Sequence, residues 1–571
     1  MLNEEKVCCK PGEYIFDVAL KNGIEIPHFC YHERLERTAH CRLCVVEVEM
    51  NGRTRIMTSC STKVAEGMIV RTHTPKILDA RRLNLELLLA NHDLNCPQCP
   101  KNLRCKLQAY ASDFMIESLK DEVRIKGKRR TVPVDNSSVS IRRDDNRCIL
   151  CGRCVKMCND VQTVYAISQN KRGFDTIVTP ALGHNMAESA CVNCGQCVIV
   201  CPTGALTEKS DVQQVIDALN KPEKMLIAQT APSIRAALGE CFGMPVGTEV
   251  TGKMVAALRK LGFEKVFDTN LGADICIIEE ATEFVKRLNE NRNLPMITTC
   301  CPAWIKFGEQ FFFDELRHMS SCRSPQAIMA SLVKTYYAQK IGKDPKDIVL
   351  VDIMPCTAKK YEIMRPEFKG EADFVLTTIE LGRLIKEMNI DFVNLQDSDF
   401  DHPLGESTGA GAIFGHTGGV MEAAVRTAAD WLEGKKLKKF EYKKAIGGMD
   451  TKKEFSVTIK GKTVKICVVH TLGEARKLME EIKAGKSPYH FIEIMACYGG
   501  CIGGGGQPTP CTKEVLQKRA AALNSVDSKK KIRKSHENPS ALKIYKEYLG
   551  EFGSEQAHRL LHTTYTRKSY K

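Results

Sequence analysis

Over the first 78 residues apolar and polar positions alternate in short runs, as in CVVEVEM and RIMTSC. Period-two alternation of this length predicts a small β-rich module. The stretch DARRLNLELLLANH then places apolar residues at helical spacing and predicts a helix within a short unit over 79–118. A basic, polar linker, KGKRRTVPVDNSS, follows. Beyond residue 210, strand-like runs (KMLIAQ, KVFDTN, PMITTC, DIVLVDIMPC, HFIEIMAC) alternate with helical ones (GKMVAALRKLG, IEEATEFVKRLNEN, SPQAIMASLVKTYYAQKIG), which predicts an α/β domain. Three of the strand runs end directly on cysteines. Loops at strand ends are where α/β folds place their chemistry. The lysine-rich tail after 515 reads as helical and closes on AHRLLHTTY.

The length, 571 residues, calls for several domains. With 43% hydrophobic and 27% charged residues and no apolar run of membrane-helix length, the chain reads as globular and membrane-free. MLNEEKVCCK has neither the basic start nor the apolar stretch of a signal peptide, so a cytoplasmic location is expected. The 27 cysteines change the picture most. In a reducing compartment, clustered cysteines point to metal rather than to disulfides. The formal charge of +14 counts every thiol as neutral; four-thiolate clusters would remove about 7 units of it. Lysine and arginine runs remain at Lys126, Lys128, Arg129 and Arg130, at Lys435, Lys436, Lys438 and Lys439, and at Lys529 to Lys534. They fit solvated loops, or steering of an acidic electron carrier such as ferredoxin. No nucleic-acid-binding motif accompanies them.

The cysteine spacing is specific. Cys148, Cys151, Cys154 and Cys158 form one CxxCxxCxxxC run; Cys191, Cys194, Cys197 and Cys201, followed by Pro202, form a second. In this bacterial-ferredoxin pattern the fourth cysteine of each run ligates the other cluster. One 4Fe–4S cluster is therefore expected on Cys148, Cys151, Cys154 and Cys201, and another on Cys158, Cys191, Cys194 and Cys197. Four-cysteine zinc sites are the duller alternative. Cys30, Cys41, Cys44 and Cys60 form a looser set, with ten residues between the first pair where plant-type ferredoxins have four. His92, Cys96, Cys99 and Cys105 form HxxxCxxCxxxxxC, which by itself also fits a zinc site of three cysteines and one histidine.

Three later motifs, TTCCPAW (Thr298 to Trp304), MPCTAKKYE (Met354 to Glu362) and EIMACYGGCIGGGGQP (Glu493 to Pro508), resemble the three signatures of the FeFe hydrogenase catalytic domain, in family order. The run CYHERLERTAHCRLCVVEVE resembles the N-terminal 2Fe–2S domain that these enzymes share with the large NADH-dehydrogenase iron–sulfur subunit. The His92 motif resembles the His-ligated 4Fe–4S domain of the same two families. The resemblance covers essentially the whole chain and is close to the monomeric, many-cluster clostridial type. It implies a multidomain α+β and α/β protein: a β-grasp 2Fe–2S domain (1–78), a small helical 4Fe–4S domain with one histidine and three cysteine ligands (79–118), a bacterial ferredoxin-like domain with two 4Fe–4S clusters (139–209), an α/β catalytic domain with two sheet-containing lobes (210–514) and a small-subunit-like helical segment (515–571).

Carried over by motif, Cys301, Cys356, Cys497 and Cys501 bind the catalytic cubane, and Cys501 bridges to a diiron subsite with carbon monoxide, cyanide and azadithiolate. Lys359 pairs with one cyanide; Ser233 and the backbone at Ala231 and Pro232 hold the other. Pro325, Gln326, Met354, Phe414 and Met495 line the pocket, and Gly503 to Gly506 admit a bulky inorganic group. The implied proton path is Cys300, Glu280, Ser320, Glu283 and Arg287. Spacing alone reads Glu280, Glu283 and Arg287 as a salt-bridged helix stripe, and Cys300 as a buried thiol. Ala303 and Tyr498 depart from the usual glycine and proline. The implied reaction is reversible reduction of protons to dihydrogen with electrons from ferredoxin or flavodoxin, and maturases build the diiron unit. The alternatives are a pure electron-transfer subunit, a hydrogen sensor or assembly factor, and the catalytic subunit of an electron-bifurcating complex.

Overall fold

The computed structural model describes residues 1–116, 128–434, 450–459 and 462–569. Lys126 and the lysines at 435, 436, 438 and 439 lie outside the described residues. The chain forms two compact units: Met1–Val161 with Tyr165–Ser189 and Val200–Thr207, and Gln162–Val164 with Ala190–Ile199 and Glu208–Lys571. The division runs through the duplicated cysteine stretch. Cys148, Cys151, Cys154, Cys158 and Cys201 belong to the smaller unit, and Cys191, Cys194 and Cys197 to the larger.

In the smaller unit the alternating runs become β1 (Val45–Met50) and β2 (Arg53–Thr58), an antiparallel hairpin, with β3 (Ile69–Arg71) antiparallel on the other side of β1. Asn51 and Gly52 turn the hairpin with positive φ at both positions, the backbone that suits the twist of two-residue hairpins. Helix α1 (Ile15–Lys21) buries Ile15, Phe16 and Ala19 in one cluster with Val46 and Val48. Helix α2 (Pro75–Ala90) starts a turn before the expected DARR run, because Thr74 accepts a hydrogen bond from the Ile77 N–H and Pro75 fills the first helical position.

The larger unit holds two four-stranded sheets. In the first, β4 (Met225–Thr230), β5 (Lys265–Asp268), β7 (Ile348–Met354) and β8 (Phe374–Thr377) are all parallel, in the order β8-β7-β4-β5. In the second, β6 (Met296–Ile297), β9 (Lys452–Ile459), β10 (Lys462–His470) and β11 (Phe491–Met495) run in the order β6-β11-β10-β9; only the β9–β10 pair is antiparallel. Strands β4 and β11 are buried at every position, which is why they read as continuous apolar runs.

Two expected boundaries shift. The KVFDTN strand stops at Asp268, whose side chain accepts from the Asn270 N–H and caps the helix Thr269–Glu290, here α4, which follows α3 (Thr251–Leu261). The first turns of α4, through Ala281, are buried all round, so they show no apolar stripe from which a helix could be read. The three strand runs expected to end on cysteines stop short of them, at Ile297, Met354 and Met495, so the cysteines stand in the loops that follow.

Candidate active site and cluster sites

One cavity in the larger unit collects the loops that follow parallel strands of both sheets. Ala231 and Pro232 follow β4, Thr269 follows β5, Cys300 and Cys301 follow β6, Pro355 and Cys356 follow β7, and Cys497 and Cys501 follow β11; all of them line it. Pro325, Gln326, Met354, Lys359, Phe414 and Met495 complete a mostly apolar wall. Backbone geometry explains the placement. Parallel strands point their C-terminal ends the same way, so residues remote in sequence meet at one rim.

The expected ligands Cys301, Cys356, Cys497 and Cys501 therefore share one cavity. Burial pushes all four thiols above their ordinary value, Cys356 to about 12. For Cys356, Cys497 and Cys501 the neighbouring thiols add to the shift. Thiolates crowded in an apolar hole repel one another, and a bound cationic iron–sulfur core relieves that repulsion. The donor set thus fits a thiolate-ligated cluster. Lys359 is buried at the same wall. Its Nζ donates to Ser324 Oγ at 2.9 Å and to Glu362 Oε2 at 2.6 Å. Burial opposes the ammonium charge, but the Glu362 carboxylate outweighs it and holds Lys359 above its ordinary value.

Ser233 is placed differently from its neighbours Ala231 and Pro232. It is fully buried, does not line the cavity, and its hydroxyl and carbonyl accept from Gln507 Nε2 at 3.4 and 3.5 Å. The glycine run also has a reason the sequence did not suggest. A Cβ on Gly504 would lie 2.3 Å from the Pro355 carbonyl, and one on Gly503 2.2 Å from that of Tyr498. These glycines are fixed by chain packed against chain. Ser324 and Glu362 were missed. Glu362 was visible as the i+3 neighbour of Lys359. Ser324 caps the helix Pro325–Leu332, and only the fold brings it to Lys359.

The expected proton-path residues lie along α4 and the Ser320 loop. Glu280 is fully buried; its nearest donors, the Ser320 hydroxyl and the Thr299 N–H, fall short of full hydrogen-bond geometry. Burial first, then the charge of Glu283, raises Glu280 to about 8. Burial, then Glu280, raises the Cys300 thiol well above its ordinary value. Glu283 is instead well partnered. Ser320 Oγ and Ser321 Oγ each donate to its Oε2 at 3.1 Å, and Arg287 Nη2 meets Oε1 at 2.5 Å. The carbonyls of Arg317, His318 and Met319 hold the guanidinium.

In the smaller unit, His92, Cys96, Cys99 and Cys105 line one cavity. His92 Nδ1 is buried without a hydrogen-bond partner among the described residues, and burial lowers the imidazole to about 4. A neutral, unpaired ring nitrogen among three thiols fits a metal or cluster ligand. Cys148, Cys151, Cys154 and Cys201 line another cavity. The sulfurs of Cys30 and Cys41 stand 3.5 Å apart, and Cys60 is pushed up by Cys30 and Cys44. In the larger unit, Cys497 Sγ lies 4.0 Å from the Cys194 carbonyl, and Thr357 Oγ1 donates to the Asn193 carbonyl at 2.8 Å. These contacts fasten the loop of the second cysteine run to the catalytic cavity.

Fold and sites together fit an iron–sulfur protein with an apolar, thiol-lined pocket. Comparison with known proteins agrees. Residues 224–505 match the iron only hydrogenase large subunit, C-terminal domain, and 513–568 the iron hydrogenase small subunit. A 2Fe–2S iron–sulfur cluster binding domain matches over 1–75, the NADH-ubiquinone oxidoreductase-G iron–sulfur binding region over 81–119 and a 4Fe–4S dicluster domain over 147–205. The chain is 47% identical to the NADP-reducing hydrogenase subunit HndD of Solidesulfovibrio fructosivorans, over 98% of this chain and 97% of that one. It is 39% identical to iron hydrogenase 1 of Clostridium pasteurianum, over 97% of each. A solved variant of apo FeFe-hydrogenase HydA1 from Chlamydomonas reinhardtii superposes with a TM-score of 0.56 at 40% identity, covering 63% of this chain and 99% of that one. The chain belongs to the FeFe hydrogenase family. Among the described residues no helix is long and apolar enough to cross a membrane.

Proposed function

We propose that this chain is a cytoplasmic hydrogenase that reversibly reduces protons to dihydrogen with electrons from a reduced ferredoxin or flavodoxin. The observation that carries the reading is the single apolar cavity shared by Cys301, Cys356, Cys497, Cys501, Cys300 and Lys359. The four cysteines would hold the cubane, with Cys501 also carrying the diiron subsite. One 2Fe–2S cluster would sit on Cys30, Cys41, Cys44 and Cys60, a His-ligated 4Fe–4S cluster on His92, Cys96, Cys99 and Cys105, and two further 4Fe–4S clusters on the ferredoxin-like cysteines. When bound, these groups supply the electrons and the metal at which protons and dihydrogen interconvert.

The protein's own share is positioning and proton movement. Lys359, oriented by Ser324 and Glu362, offers its ammonium to an anionic ligand. Apolar side chains exclude water and so strengthen that pairing. The raised Cys300 thiol stays protonated near neutral pH and passes a proton without holding a standing charge. Glu280, at about 8, carries a proton at pH 7 and lies close enough to that pH to give it up and regain it. Ser320 links it toward Glu283, which Arg287 holds at the outer end.

Anaerobic expression with and without the diiron maturases tests the reading. Hydrogen evolution from reduced viologen appears only with them, and Cys300→Ser keeps its iron content while losing most turnover. Full activity of Cys300→Ser removes it from the proton path. The near full-length match to a subunit of an NADP-reducing hydrogenase favours a second reading, the catalytic subunit of a larger, electron-bifurcating complex. Co-purification of nicotinamide-reducing subunits from the native host would select it.

A further inference from the structure

The closing run AHRLLHTTY brings His562 to the outer end of the proton path. His562 Nδ1 lies 2.8 Å from Ser321 Oγ, and Ser321 Oγ lies 3.1 Å from Glu283 Oε2. On the other edge of the ring, His562 Nε2 lies 2.9 Å from Glu279 Oε2. Glu279 is fixed in turn: the Tyr545 hydroxyl donates to Oε1 at 2.5 Å and the Gly553 N–H at 3.3 Å. Neighbouring carboxylates on α4 thus have different surroundings. Glu280 lies in the core with only weak donors beside it, and Glu279 is anchored to the C-terminal segment.

The backbone keeps the imidazole in place. His562 pairs with Cys322 in an antiparallel bridge, and its carbonyl accepts from Arg323 Nε at 3.0 Å. Arg323 is itself neutralised by Glu371. The ring of the exposed His558 packs 4.2 Å from that of His562. The charged or titratable groups facing His562 are therefore Glu279, Arg323, Cys322, Tyr545 and His558, together with the Glu283–Arg287 pair across Ser321.

We propose that His562 is a proton-storing branch of the relay, loaded from Glu283 through the Ser321 hydroxyl. The inference rests on the proton path of the proposed function. The transfer balances without any other reactant. The Glu283 O–H bond breaks as its proton passes to Ser321 Oγ, and the hydrogen that Ser321 carried leaves to form N–H at His562 Nδ1. Before transfer, a neutral imidazole donates Nε2–H to Glu279 and accepts from Ser321. Afterwards, the imidazolium lies against the Glu279 carboxylate, and Ser321 donates to the Glu283 carboxylate. Ser321 has one hydrogen and two acceptors, so the two states are distinct and the proton is shared between them. His562 acts through Glu283 and touches no reacting atom; it is a positioning residue for the proton.

The test is His562→Gln in the matured holoenzyme, which keeps the bulk and a hydrogen bond but cannot hold the proton. Without the charge on His562 to add to that of Arg287, the carboxyl stretch assigned to Glu283 by its loss in Glu283→Gln titrates about one pH unit higher. The acid-side limb of hydrogen evolution moves with it. Ser321→Ala, which cuts the bridge and also removes one donor to Glu283, shifts the band at least as far, and His562→Gln adds nothing on that background. This second route holds even where His562→Gln folds poorly. A lowered melting temperature with an unmoved carboxyl band and limb overturns the branch and leaves His562 a structural residue. Wild-type turnover in Glu283→Gln overturns the relay itself, an outcome distinct from slow Glu283→Gln with an unshifted His562→Gln.

Discussion

The two ends of the proposed proton path along α4 are built on opposite principles. At the inner end, Glu280 is buried with only weak donors, Ser320 and Thr299, beside it, and Cys300 lies in an apolar wall; burial raises both. At the outer end, Glu283 accepts from two serines, a backbone N–H and an arginine. A weakly partnered buried carboxyl is costly in either protonation state, yet that is what brings its proton affinity toward neutral pH. A carboxyl with several donors around it is held in one place, which suits a group that receives a proton and hands it on. The path spends stability inside and geometry outside.

The largest effect belongs to the inner end. Glu280→Gln lowers hydrogen evolution by about a hundredfold or more, and hydrogen evolution by the wild-type enzyme falls off through pH about 8, where Glu280 loses its proton. A variant within a few-fold of wild type would erase the contrast. The same residue leaves a signature in stability. Its folded-state value lies above the ordinary 4.5, so the folded chain binds the extra proton and stability falls as pH rises from about 4.5 to about 8. Thermal melts of Glu280→Gln and wild type therefore diverge in favour of the variant as pH rises, by on the order of a few kcal/mol. Melting curves that stay parallel across this range would mean that Glu280 is already relieved by water. The smallest effect belongs to the outer end. Arg287→Ala lowers turnover less than about tenfold, because the serine donors to Glu283 remain and a partly exposed ion pair contributes little. A larger loss would make the outer end the bottleneck.

How much was legible depended on the range of the interaction. The duplicated cysteine run gave its candidate ligands from spacing, and Cys148, Cys151, Cys154 and Cys201 do line one cavity, because a short loop plus one returning residue brings four thiols together. The strand runs of the α/β region were readable from apolar continuity. The helical character of 269–277 was not, since a helix buried on all sides has no stripe. Ser324, Ser321 and His562 were equally invisible: a serine or histidine carries no periodic signal, and its partner is set by packing. Gly504 was read as room for a ligand and does line the cavity, but the Pro355 carbonyl that also excludes a side chain there could not be read from the sequence.

The sequence by itself determined the kinds of chemistry present: thiol ligands at cluster spacing, a lysine inside a cysteine motif, and acidic residues at helical intervals. The tertiary structure decided which of them meet. Convergence of Cys301, Cys356, Cys497 and Cys501, burial of Glu280 and the link from His562 through Ser321 to Glu283 all depend on parallel strands ending at one rim and on a C-terminal segment folding back over α4. Those are long-range contacts, stabilised by burial summed over the whole core, and no local stretch of residues encodes them.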